Sequence, residues 1–105
     1  MDPAVGGEYE MNICDAIRKR MVIRFYYRGG IRVVEPHCHG ISTNGYEVLR
    51  AYQIGGYSKS GQHVGWKLIP VNKIYGIHPE GTTFIANRNG YESDDYSMST
   101  IHCAV

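Results

Sequence analysis

The sequence predicts a mainly β fold, a small antiparallel barrel of about five strands behind one short N-terminal helix. Short runs of β-branched and aromatic residues recur about every ten residues with Gly-rich or Asn-Gly turns between them, and only one stretch has helical periodicity. At 105 residues the chain is long enough for one domain with its own core. With 43% hydrophobic and 20% charged residues it has the composition of a folded globule rather than a disordered segment.

Residues 1–11 are Gly-rich and acidic without periodicity, and read as a flexible leader. Asn12 is placed to cap a helix, with Asp15 three positions on. Ile13, Ala16, Ile17 and Met21 then form one apolar stripe, with Arg18, Lys19 and Arg20 opposite. The first strand is VIRFYY, in which Tyr26 and Tyr27 face opposite sides, so at least one belongs to the core. Arg28-Gly29-Gly30 supplies the positive φ of a tight hairpin. A second strand runs from Ile31 to Glu35 and meets Pro36, which marks an edge or a bend because proline donates nothing to a ladder.

Asn44-Gly45 is the strongest hairpin signal in the chain, and it precedes the alternating segment YEVLRAYQ. Period two puts Val48, Arg50 and Tyr52 on one face of this strand and Leu49, Ala51 and Gln53 on the other, where Leu49 and Ala51 suit a core. Gly55-Gly56 opens a long polar loop, YSKSGQHVG, with the length of a binding loop. GWKLI forms a fourth strand, residues 70–73 one helical turn, and residues 75–78 a short fifth strand. The barrel thus spans 12–80, and 81–105 reads as a C-terminal extension, docked or partly disordered, with its last apolar residues at Met98, Ile101, Cys103 and Val105.

No apolar run is long enough for a membrane span and the first residues lack a secretory pattern, so a cytoplasmic protein without a membrane partner is expected. Cys14, Cys38 and Cys103 are odd in number and widely spaced, which reads as reduced thiols. The net charge is only +1, but no acidic residue lies between Glu47 and Glu80. Arg50, Lys59, Lys67, Lys73, His63 and His78 all fall within that window and give it a positive surface.

Read in order, AIRKRMVIRFYY, IRVVEP, LRAY and VNKI give the chain a resemblance to the WYL family of bacterial ligand-sensing domains over residues 16–74. Its most specific parts are Arg32, Val34, Glu35 and Pro36 with Leu49, Ala51 and Tyr52. Glu47 and Val48 stand where the family has its name-giving tryptophan and tyrosine, and Lys67, Asn72 and Lys73 replace its usual Arg, Asp and Arg. Lysine keeps the charge but loses the bidentate fork of arginine. The resemblance implies an SH3-like or Sm-like barrel acting as a regulatory module that binds nucleic acid or nucleotide-like molecules. No helix-turn-helix precedes the barrel, so it implies a stand-alone sensor or an accessory of a separate DNA-binding partner.

The expected function is therefore non-catalytic binding of single-stranded nucleic acid or a nucleotide-like anion. Arg32, Arg50, Tyr52, Lys67 and Lys73 carry it, converging on one wall, with Ser58, Lys59 and Ser60 as loop contacts. Trp66 is read as a core residue. His37-Cys38-His39 projects two imidazoles together but lacks a second pair of ligands, and neither metal nor cofactor is expected. Cys38 or Cys103 beside a histidine, and the pair Asp94-Asp95, lack the setting of a catalytic motif, so no enzymatic activity is expected. The alternative function is a protein-interaction or homo-oligomerisation module that uses strand edges and the tail from Ile101 to Val105.

Overall fold

The computed structural model describes residues 12–105, so the leader expected at 1–11 lies outside the described residues. Helix α1 (Ile13–Arg18) begins where Asn12 Oδ1 accepts the backbone N–H of Asp15 at 3.1 Å. It buries Ile13, Ala16 and Ile17. Six strands follow: β1 (Met21–Tyr27), β2 (Gly30–Ser42), β3 (Glu47–Gly56), β4 (Gly65–Pro70), β5 (Tyr75–Thr83) and β6 (Met98–Ala104), with a 3₁₀ turn at Val71–Lys73. All pairings are antiparallel within one sheet of order β4-β3-β2-β1-β5, and β6 pairs with β2. The fold is mainly β, as expected, with a sixth strand supplied by the tail.

The hairpins form where the turn chemistry puts them. Tyr27 pairs with Gly30, leaving Arg28 (φ 46°) and Gly29 (φ 101°) as a two-residue loop with both φ angles positive. Ser42 N–H donates to the Tyr46 carbonyl at 2.7 Å around Asn44-Gly45. The sheet curls so that Ile69 of β4 and Ile77 of β5 share one core with Phe25, Val34, Leu49 and α1. No ladder joins β4 to β5 among the described residues, so the barrel is curled but open.

Strand β2 does not stop at Pro36. It runs seven residues further than expected from Glu35, because the proline falls between two ladders: pairing with β1 ends at Val34 and pairing with β6 begins at Cys38. A proline there removes no donor that either strand needs. The β2–β3 register slips between Pro36 and Cys38, which makes His37 an extra residue. Beyond the slip, Cys38 lies opposite Arg50 on the outer face and His39 opposite Leu49 on the inner one. The bulge therefore parts the two histidines that plain alternation would put together.

The cysteines correct a further expectation. Cys14 and Cys103 form a disulfide across 89 residues, and only Cys38 is a free thiol. Local spacing gives no hint of this, because the pairing of β6 with β2 is what carries Cys103 back to α1.

Residues 81–105 complete β5, cross the outer face of β2 and β3, and supply β6. This cover explains why β2 is buried on both faces from Glu35 to Gly40. No helix among the described residues is long and apolar enough to cross a membrane.

Candidate ligand site

The outer face of β3 carries Arg50 and Tyr52 side by side, as alternation requires, but the chain itself covers both. Arg50 Nε donates to Asp95 Oδ2 at 2.8 Å, and its Nη2 reaches Asp95 Oδ1 and Ser97 Oγ at 3.4 and 3.2 Å. Burial pushes the Asp95 carboxyl up, yet hydrogen bonds from Arg50 and from the Ser97 backbone outweigh it and hold the group below its ordinary range. Tyr52 lies beneath the Arg88 guanidinium, 4.7 Å from its ring centre. Arg88 in turn grips buried Glu35 with two bonds of 2.7 and 3.0 Å, which raises its own pKa.

Trp66 is not in the barrel core. It lies half-buried on this outer face, edge-on to Tyr52 and stacked with Tyr91, and its Nε1–H donates to the Asn89 carbonyl at 3.0 Å. His37 completes the cluster. Its Nδ1 meets the Glu35 carbonyl at 2.8 Å and its Nε2 accepts the Arg88 backbone N–H at 3.2 Å, so both nitrogens are used by the neutral ring. Burial lowers its pKa and outweighs the Glu35 carbonyl, which acts the other way. Cys38, against Met98 Sδ at 3.6 Å, is a buried thiol pushed up to about 11 by burial, and Cys103 is tied in its disulfide. Cys38 is thus the opposite of a reactive thiolate, and Cys103 has no free thiol to ionise. Asp94 is exposed while Asp95 is buried against Arg50, so the adjacent carboxylates do not work as a pair.

Lys67 is on the other side of the sheet. It lies opposite Ala51, whereas Trp66 lies opposite Tyr52, and cross-strand neighbours share a face. The expected single wall of Arg50, Tyr52 and Lys67 therefore does not form. Lys73 is further removed: it is exposed after Pro70, which pairs with Val48, about 25 Å along β3 from the loop end at Gly56.

The inner face ends, at that loop, in a different cluster. Arg32 faces inward because it pairs with core residue Phe25, and it is only 4% exposed. Its Nε donates to the Tyr27 carbonyl at 3.1 Å, and its guanidinium lies 4.9 Å from the Tyr27 ring and 5.5 Å from the Tyr57 ring. Gly30 makes this possible, since a Cβ there would overlap the Cβ and ring of Tyr57. Buried Gln53 fixes the corner by donating to the carbonyls of Gly55 and Tyr57 at 3.0 and 2.8 Å.

Ser58 follows, 6% exposed, with its hydroxyl 3.1 Å from Ser60 Oγ. Lys67 Nζ donates to the Gln62 carbonyl at 2.9 Å and reaches Ser58 Oγ at 3.5 Å, closing the loop from below. Exposed Lys59 and Arg28 flank the cluster, the latter over the Tyr27 ring at 5.9 Å. Among the described residues no carboxylate pairs with Arg28, Arg32, Lys59 or Lys67. Arg28 and Tyr57 were not legible as site residues, although a Gly-Gly turn facing an aromatic after another Gly-Gly is a signal for such a close approach.

Comparison with protein-family models finds no match for the chain. Comparisons with curated proteins and with solved structures find no match either.

Proposed function

We propose that the chain is a WYL-like, non-catalytic regulatory module of the cytoplasm that binds a phosphate-bearing, base-containing ligand, a nucleotide or single-stranded nucleic acid. The site is the loop end of the barrel, with Lys67, Lys59 and Arg28 facing phosphate, buried Arg32 adding positive charge behind them, and exposed Tyr57 stacking a base. One observation carries the reading: Arg32 lies against Tyr57 and Lys67 reaches Ser58, with exposed Lys59 next in the chain and Arg28 over the Tyr27 ring, and none of these four cations has a carboxylate partner among the described residues. Cations without a counter-ion raise the local potential for anions, and an aromatic ring beside them adds stacking that tolerates any base. The resemblance over residues 16–74 supports the same ligand class.

A thermal-shift screen against single-stranded oligonucleotides, nucleoside phosphates and the matching uncharged nucleosides tests it. A ligand at a hundred times its dissociation constant stabilises the native state by about 2.7 kcal/mol. Phosphorylated ligands should raise the melting temperature and nucleosides should not, and Lys59→Ala with Lys67→Ala should abolish the shift. No response to any phosphate compound, or a response that survives the double substitution, would refute the reading.

A further inference from the structure

On the inner face, at the end nearest α1, three potential metal ligands from distant parts of the chain meet: Cys14, His39 and Cys103. His39 Nδ1 lies 3.5 Å from Cys14 Sγ and 3.9 Å from Cys103 Sγ. The other ring nitrogen, Nε2, is 2.5 Å from Glu47 Oε2. A proton on Nε2 shared with Glu47 leaves the Nδ1 lone pair aimed at two sulfurs which, as a disulfide, have no proton to give it. A carboxylate behind a histidine whose free nitrogen faces two cysteines is the outer-shell arrangement that orients metal-binding imidazoles.

The distances support this further. A tetrahedral zinc with bonds of about 2.3 Å to sulfur and 2.0 Å to nitrogen needs sulfur–nitrogen separations of about 3.6 Å and a sulfur–sulfur separation of about 3.8 Å. Both sulfur–nitrogen distances are already near that value, and only the covalent bond between the two sulfurs stands in the way. Breaking that one bond creates the site. Beside it opens a cavity of about 570 Å³ lined by Asp15, Glu47 and His102, which leaves room for solvent at a fourth position.

We propose that Cys14, Cys103 and His39 form a redox-gated site for a thiophilic divalent cation such as Zn²⁺. The disulfide is the closed state and the metal-bound dithiolate the open one. A dithiol reductant supplies two electrons and two protons, which convert the S–S bond into two thiols while the reductant becomes its own disulfide. Zn²⁺ then displaces the two thiol protons to solvent and is held by two thiolates and Nδ1, with Glu47 as the positioning residue. The site ties α1 to β6 in both states, so the fold keeps its closure while its redox state changes.

The test uses the full chain reduced anaerobically with a phosphine and titrated with Co²⁺. The expected result is one Co²⁺ per chain with a sulfur-to-cobalt charge-transfer band and tetrahedral ligand-field absorption, neither of which the oxidised chain gives. Glu47→Gln should retain the band and weaken binding about tenfold or more, while His39→Asn should weaken it further and alter the ligand-field spectrum. If the reduced chain loses its strand circular dichroism, Zn²⁺ should restore it. A reduced chain that shows no charge-transfer band, that Zn²⁺ fails to refold, or that binds Co²⁺ equally well in both variants overturns the proposal.

Discussion

Arg50 and Arg32 occupy similar places in one sheet, on neighbouring strands and largely buried, yet their guanidinium groups end in opposite surroundings. Arg50, on the outer face, meets Asp95 and Ser97 from the chain's own tail. Arg32, on the inner face, meets two tyrosine rings and two backbone carbonyls and has no carboxylate partner among the described residues. The difference teaches that a basic residue becomes available to an anion only where the fold has not already supplied the counter-charge. On the outer face Arg88 even takes the position over Tyr52 that a base would need.

The largest effect expected from breaking this contrast is on stability. Asp95→Ala removes the partner of an arginine whose side chain is 23% exposed, and should cost about 3 kcal/mol in urea unfolding, the low end for a broken buried pair. A cost below about 1 kcal/mol would mean that the tail rests on the outer face without being clasped to it.

A pH effect should come next. The folded pKa of His37 is lowered, so its contribution is complete above the ordinary value of 6.5 and is lost as pH falls from there through the lower folded value. Protonating Nε2 also removes the acceptor for the Arg88 N–H, so the segment from 84 to 97 should loosen first. Hydrogen exchange over that segment, followed as pH falls from neutral to about 5, should accelerate, and His37→Gln should flatten the dependence. Exchange insensitive to pH would contradict the neutral-histidine clasp.

Smaller in energy but sharper in meaning is the ligand comparison. Removing one cation from a phosphate lowers the slope of log affinity against log salt by about 1. Lys67→Ala should show that decrease in fluorescence anisotropy with a labelled oligonucleotide, and Arg50→Ala should leave the slope unchanged. The reverse pattern would move the site to the outer face.

Much of the inner face was legible from local pattern. The Asn12 cap, the two hairpin turns and the alternation of Leu49, Ala51 and Gln53 against Arg50 and Tyr52 all depend on residues a few positions apart, and each forms as its local chemistry requires. What local pattern does not carry is partnership at long range. Asp95 is 45 residues from Arg50, Arg88 is 53 from Glu35, and Cys103 is 89 from Cys14. Pro36 misled for the same reason, since its tolerance depends on a gap between ladders that only the docking of β6 defines. Arg32 was picked out from sequence, but its ring neighbours Tyr27 and Tyr57 come together only through the Gly30 turn.

The site at the loop end is tested most directly by amide chemical shifts of the isotope-labelled chain during titration with a short single-stranded oligonucleotide. Shift changes centred on residues 28–32 and 57–67, with the amides of Arg50, Tyr52, Arg88 and Tyr91 unmoved, are the predicted result. Changes centred on those four residues instead, or no change anywhere at saturating oligonucleotide, would contradict it.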